Sequence, residues 1–244
     1  MQLFAGGNRT RQVTAPSDAD VEAFRDRSAG LYKTIHASYV INACHPPESD
    51  LAQATVTHLV DALRWGERLG FDSVVFHPGS ALQYPRADAL SWCRQNVSRA
   101  LDVYRGPVRL LLENSAGDKH DRKVGRDLGE LQTLVDEVRD VCGDRTGICV
   151  DTAHAFPAGY TVEQIAGVHR DYPAVEMIHL NSCKPHITRG CRVDRHAAFS
   201  DGNFSAEQLQ LMVRGLRHLP LILESSSAED LRQVFDWAQE DERR

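Results

Sequence analysis

The sequence predicts an α/β fold of parallel strands and crossover helices, a (β/α)8 barrel in preference to an open doubly wound sheet. Three observations point there. Short apolar runs alternate with amphipathic segments along the 244 residues, the pattern of strand–helix units in series. Several runs, among them RLLLE and LPLILE, are continuously apolar, as parallel strands buried on both faces require. Neither a GxGxxG turn nor a phosphate-binding Gly-Lys-Ser/Thr loop is present, so the signatures of nucleotide-binding open sheets are missing.

The elements follow in order. Gln2–Phe4 reads as a short first strand, and Ser17 as a cap for a helix over Asp18–Arg27. A strand at Lys33–Ala37 leads to a helix at Asp50–Leu69, with Leu59 and Leu63 on one face and Gly70 as its stop. The strand Asp72–His77 precedes a helix at Ala87–Tyr104, which Gly106 follows. Val108–Glu113 is the next strand. Asp127–Val141 then carries Leu128, Leu131, Leu134, Val135 and Val138 at helical spacing. Gly147–Asp151 and Met177–Asn181 are strands separated by a shorter helix at Val162–Asp171. Ser205 and Gln208 form a capping box for a helix to about Leu216. A last strand at Leu219–Glu224 precedes a helix opened by Ser227-Ala228-Glu229-Asp230. No linker or repeat interrupts this, so one domain over 1–244 is expected, with seven strands where a closed barrel has eight.

A formal net charge of −6 does not advertise a nucleic-acid binder, although bound cations would offset acidic groups where a substrate sits. The six cysteines have no CxxC spacing, no secretory signal opens the chain, and no apolar run approaches transmembrane length. Reduced thiols in a cytoplasmic protein, with no membrane partner, are expected.

Residues able to bind metal end nearly every strand. His36 ends KTIHA, His77 ends SVVFH, Glu113 ends RLLLE and Asp151 ends GICVD, with His154 just beyond. His179 lies in MIHLN, Asp194 and His196 follow it, and Glu224 ends LPLILE. Singly, each reads more simply as a hydrogen-bonded or solvated rim residue, and Asp151 as a helix cap. Together they differ, because the strand C-termini of a parallel barrel open on one face. Five imidazoles and four carboxylates crowded there would carry a large desolvation and repulsion cost that divalent metals relieve. Nine donors suit two or three zinc ions with bridging carboxylates.

At these residues the chain resembles endonuclease IV, the zinc-dependent AP endonucleases of the xylose-isomerase-like TIM barrel superfamily. The resemblance is carried by HASYVINACHP, FHPGS, LLENSAG, VDTAHAFPAGY, IHLNSCK, RVDRH and LILES, in family order. It implies a (β/α)8 TIM barrel lacking the family's first strand and helix. It implies a trinuclear zinc site, with Mn²⁺ possible in part, built from His36, His77, Glu113, Asp151, His154, His179, Asp194, His196 and Glu224. Glu113 would bridge two ions and be the catalytic carboxylate. Arg9, Tyr39 and Val40 match the side chains that the family inserts into the minor groove. The implied activity is hydrolysis of double-stranded DNA 5′ to abasic sites, in DNA repair, by a chain expected to be a monomer. The chain departs from the family where Asn-Asp becomes Asn181-Ser182, where ENTAGQG becomes ENSAGDKH, and where AAFSDGN follows VDRH. Two other readings compete. One is a sugar isomerase or epimerase of the same superfamily, which generally uses one or two metals and about four ligands. The other is a DNA-binding homologue without catalysis.

Overall fold

Strands paired in parallel need long crossover connections, and helices supply them here. The computed structural model describes residues 1–4, 16–225 and 227–240. The elements run β1 (Gln2–Phe4), α1 (Asp18–Arg27), β2 (Thr34–His36), α2 (Asp50–Leu69), β3 (Ser73–Phe76), α3 (Arg86–Val103), β4 (Arg109–Glu113), α4 (Leu128–Cys142) and β5 (Thr146–Asp151). They continue with α5 (Thr152–Ala158), α6 (Val162–Ala166), α7 (Val168–Asp171), β6 (Val175–His179), β7 (Ser182–Cys183), β8 (His196–Ala197), α8 (Ala206–Leu216), β9 (Leu221–Ile222) and α9 (Ala228–Glu240). No helix among the described residues is long and apolar enough to cross a membrane.

The chain divides into two compact units. The first comprises Met1–Glu113 and Thr133–Gly147. Its strands β1 to β4 pair parallel in chain order, with Phe4 opposite His36, His36 opposite Val75, and Phe76 opposite Leu112. This register leaves His36, His77 and Glu113 at neighbouring strand ends. All four residues of β3 are buried, as are Leu110, Leu111 and Leu112, which is why these runs read as continuously apolar. Leu59 and Leu63 of α2 are fully buried, and each contributes about 2 kcal/mol of transfer free energy. Ser49 caps that helix by accepting from Ala52 N, and Gly70 ends it in the left-handed region at φ 73°.

The second unit comprises Asn114–Gln132 and Ile148–Arg244. Here β5 pairs parallel with β6, and β6 with β9, setting Asp151 opposite His179 and His179 opposite Ile222. The core contains Ile148, Val150, Met177, Ile178 and Met212. Both α6 and α8 open on capping boxes, Thr161 with Gln164 and Ser205 with Gln208.

Four local features depart from the sequence expectations. Gly167 breaks the helix expected over Val162–Asp171 into α6 and α7. The strand expected at Met177–Asn181 runs over Val175–His179, and its register against β5 shifts between Ile148 and Cys149. The strand expected at Leu219–Glu224 is paired only over Leu221–Ile222. Helix α5 and the antiparallel pair β7–β8, with Cys183 opposite His196, have no periodicity of their own to announce them.

Candidate metal centre

The first unit assembles its donors at the ends of β2, β3 and β4. His36 Nε2 lies 3.0 Å from Glu113 Oε2, and His77 Nε2 lies 3.4 Å from the same oxygen. His36 and Glu113 are buried, whereas the His77 side chain is 28% exposed. His36 Nδ1 sits 2.7 Å from the Ala37 carbonyl oxygen. A carbonyl can only accept, so Nδ1 carries a proton, and Nε2 is the atom turned toward the carboxylate. A ring nitrogen and a carboxylate oxygen held this close in a buried site need a proton or a metal cation between them.

The loops around this cluster are locked to each other. Asn42 Oδ1 accepts from Cys44 N at 3.0 Å and from Ser80 N at 3.1 Å. Gly79 follows His77 closely at φ +112°, and any side chain there would run into Asn42. Tyr39 packs its ring edge-on against His36 at 5.0 Å and lies 5.8 Å from His77. Tyr39 and its neighbour Val40 are 48% and 44% exposed.

The second unit carries the remaining six donors. Asp151 closes β5 and also caps α5, its Oδ1 accepting from His154 N at 3.0 Å. This double duty explains the three-residue spacing: the cap bond swings the first turn of α5 back beside the strand end. His154 Nδ1 lies 3.1 Å from the Asn114 carbonyl oxygen, so Nε2 is the atom turned toward the cluster. That Nε2 is 3.2 Å from Asp194 Oδ2 and 3.3 Å from His196 Nε2. His196 also stands 3.8 Å from Asp151 Oδ2 and 3.5 Å from Glu224 Oε2. His179 Nδ1 is 3.6 Å from Glu224 Oε1. One nitrogen or oxygen from each of His36, His77 and Glu113 falls within 4.8 Å of the others, and the same holds for Asp151, His154 and His196.

Two asparagines that donor chemistry would not single out hold this cluster in shape. Asn181 Nδ2 donates to Asp151 Oδ2 at 2.6 Å and to Glu224 Oε2 at 3.0 Å, while its Oδ1 accepts from Glu224 N at 3.1 Å. Asn114 Oδ1 accepts from Asp151 N at 2.6 Å, and its Nδ2 donates to Asp151 O at 3.2 Å. The only sequence signal for either is its position, one or two residues past a donor at a strand end.

The electrostatics follow from this crowding. Burial works to raise the Asp194 carboxyl, but hydrogen bonds and charge from His154 and His196 outweigh it and hold the group well below the usual carboxylate range. Burial works to lower His196, yet Asp151 and Asp194 push it up to about 9. Burial, then the charge of Asp151, drives the Cys183 thiol far up, so Cys183 is an inert buried thiol. The donor chemistry fits zinc: imidazole nitrogens with their outer nitrogen held by carbonyls, interleaved with oriented carboxylates.

Each ligand expected from the sequence thus falls in one cluster or the other. Tyr39 and Val40 flank the first, and Arg9 lies outside the described residues.

Comparison with known proteins defines the class first. Residues 1–241 match the model of the xylose isomerase-like TIM barrel family, and the chain belongs to that family. Within it the kinship is with endonuclease IV. The chain is 36% identical over 215 residues to "Probable endonuclease 4" of Nitratidesulfovibrio vulgaris Hildenborough, covering 83% of this chain and 73% of that protein. It superposes on the crystal structure of endonuclease IV from Thermus thermophilus with a TM-score of 0.80 and 32% identity, over 98% of this chain and 88% of that one. A D-tagatose 3-epimerase-like protein shares the fold at a TM-score of 0.75 but only 17% identity, over 98% and 89% of the two chains.

Proposed function

We propose that this chain is a zinc-dependent endodeoxyribonuclease that cuts the backbone of double-stranded DNA 5′ to abasic sites, as a monomer acting in the cytoplasm. The carrying observation is His36 Nε2 and His77 Nε2 converging on one oxygen of the buried Glu113 carboxylate at 3.0 and 3.4 Å, with His36 Nδ1 already committed to the Ala37 carbonyl. His154 repeats the arrangement beside Asp194. The endonuclease kinship supports the choice of DNA as the substrate.

In this reading His36, His77, Glu113, Asp151, His154, His179, Asp194, His196 and Glu224 together hold three zinc ions. Zinc bound there would supply charge for the phosphoryl oxygens and a water acidified to near neutral pH from about 16 in bulk. The protein's own part is orientation. Backbone carbonyls fix the tautomers of His36 and His154, and Asn181 keeps Asp151 and Glu224 aligned. Tyr39, Val40 and Arg9 would enter the minor groove where a base is missing. Such a nucleotide is the least costly to unstack, which favours it over intact sites.

The five histidines weigh against a sugar epimerase. The test is incision of a labelled abasic duplex, with zinc analysis on the same sample. Cutting that leaves a 3′-hydroxyl, together with about three zinc ions per chain, is expected. A single Mn²⁺ with keto-sugar turnover would point to the epimerase, and binding without incision to the non-catalytic homologue.

A further inference from the structure

The chain is acidic as a whole, yet two segments of the second unit are strongly basic. Asp118–Arg126 holds four Lys or Arg against two aspartates, and Lys184–Arg195 holds four against one. The first lies where the resemblance to the family breaks, in the DKH that follows ENSAG. The aspartates of this loop bond within it. Asp118 accepts from the backbone N of His120 at 2.7 Å, of Arg122 at 3.1 Å and of Lys123 at 3.0 Å. Burial works against the ionised form of Asp118, but these bonds win and hold the group below its ordinary value. Asp121, at φ +56°, accepts from Arg126 Nε at 2.7 Å and lies 3.8 Å from Arg192.

With both acids engaged in bonds within the loop, Lys119, His120 and Arg122 are left exposed to solvent. Among the described residues no carboxylate pairs with the side chains of Lys119, Arg122 or Lys184. The Arg192 contact ties the loop to the segment carrying Asp194, two residues further on.

We propose that the 118–126 loop is a preformed phosphate grip that holds the backbone of the DNA duplex, independently of the lesion. The proposal rests on the reading of the chain as a DNA endonuclease and adds a contact specific to this chain. Each phosphate neutralised releases condensed counterions, so affinity falls with salt at about 0.9 log units per contact for each tenfold rise.

The test is the affinity of the full-length, zinc-loaded protein for an undamaged labelled duplex across a salt series, for the natural chain and for Lys119→Ser with Arg122→Ser. The double variant is expected to have a shallower slope by about 2. Its affinity for intact and abasic duplex should fall by the same factor, with zinc content, melting temperature and single-turnover cutting at saturating DNA unchanged. Lys119→Arg with Arg122→Lys, which keeps the charge, should restore the slope. An unchanged slope, or a loss confined to abasic DNA, would overturn the grip. Incision by the natural chain reads the endonuclease assignment separately. A shallower slope without any incision would sink that assignment and leave the loop standing, and incision with an unchanged slope would do the reverse.

Discussion

The two donor clusters solve the same problem with different materials. In the first unit all three donors stand on strand ends, and the register of β2, β3 and β4 is what aims them. The outer nitrogen of His36 is held by the carbonyl of the next residue. In the second unit only Asp151 and His179 end strands. His154 sits in a helix turn, His196 in a two-residue strand, and Asp194 in a loop with its side chain 44% exposed. That cluster is kept in shape by the Asn114 and Asn181 hydrogen bonds in addition to the pairing of β5 with β6. A rigid sheet edge positions donors with few helpers, whereas donors on short elements need side-chain bonds to hold them, at a free-energy cost whenever one is lost.

The comparison can be broken most sharply at Glu113. Replacement by alanine removes the only carboxylate of the first cluster, and cutting should fall by more than about 100-fold with an unchanged melting transition. Substantial remaining activity would show that the strand-end cluster is not the catalytic one. Asn181→Ala tests the second cluster: zinc affinity should weaken by about 10- to 100-fold, measured by competition with a chelator. Unaltered zinc retention would mean that the loop-borne donors need no support. Chelator release should also be stepwise, with the ion held by the half-exposed Asp194 leaving first. A single release phase for all the zinc would erase the distinction between the clusters.

The smallest effect lies away from both. His169 packs against His218 with ring centroids 4.1 Å apart, and its Nδ1 is buried without a partner among the described residues. Burial first, then the charge of His218 and Arg170, lowers its protonation below the ordinary 6.5. The unfolded chain therefore takes up this proton first. Stability is full above about pH 6.5 and declines as the pH falls below it. His169→Gln should make the melting temperature less pH-dependent between pH 7 and 5, by roughly 2 °C. An identical profile in the variant would show that His169 does not titrate in this way.

Much of this was legible from the chain alone. The runs at Asp72–His77 and Val108–Glu113 read as buried strands because both their faces are covered, and the donors at their ends read as ligands because nothing else explains so many imidazoles there. Asn114 and Asn181 were not legible as supports. An amide beside a ligand has no distinctive periodicity, and its role depends on partners such as Asp151, 37 and 30 residues away. The two-residue strands β7 and β8 were hidden because a pair that short carries no alternation to read.

By itself the sequence determined which segments become strands and helices, and which side chains at the strand ends can chelate, because periodicity and donor type are local properties. Only the tertiary structure decided that His36 meets Glu113 across 77 residues of chain, that Asp151 both caps a helix and receives Asn181, and that Asp118 of the basic loop binds the loop's own backbone. Those outcomes depend on register, tautomer and side-chain direction, which are fixed when distant backbone groups pair and not before.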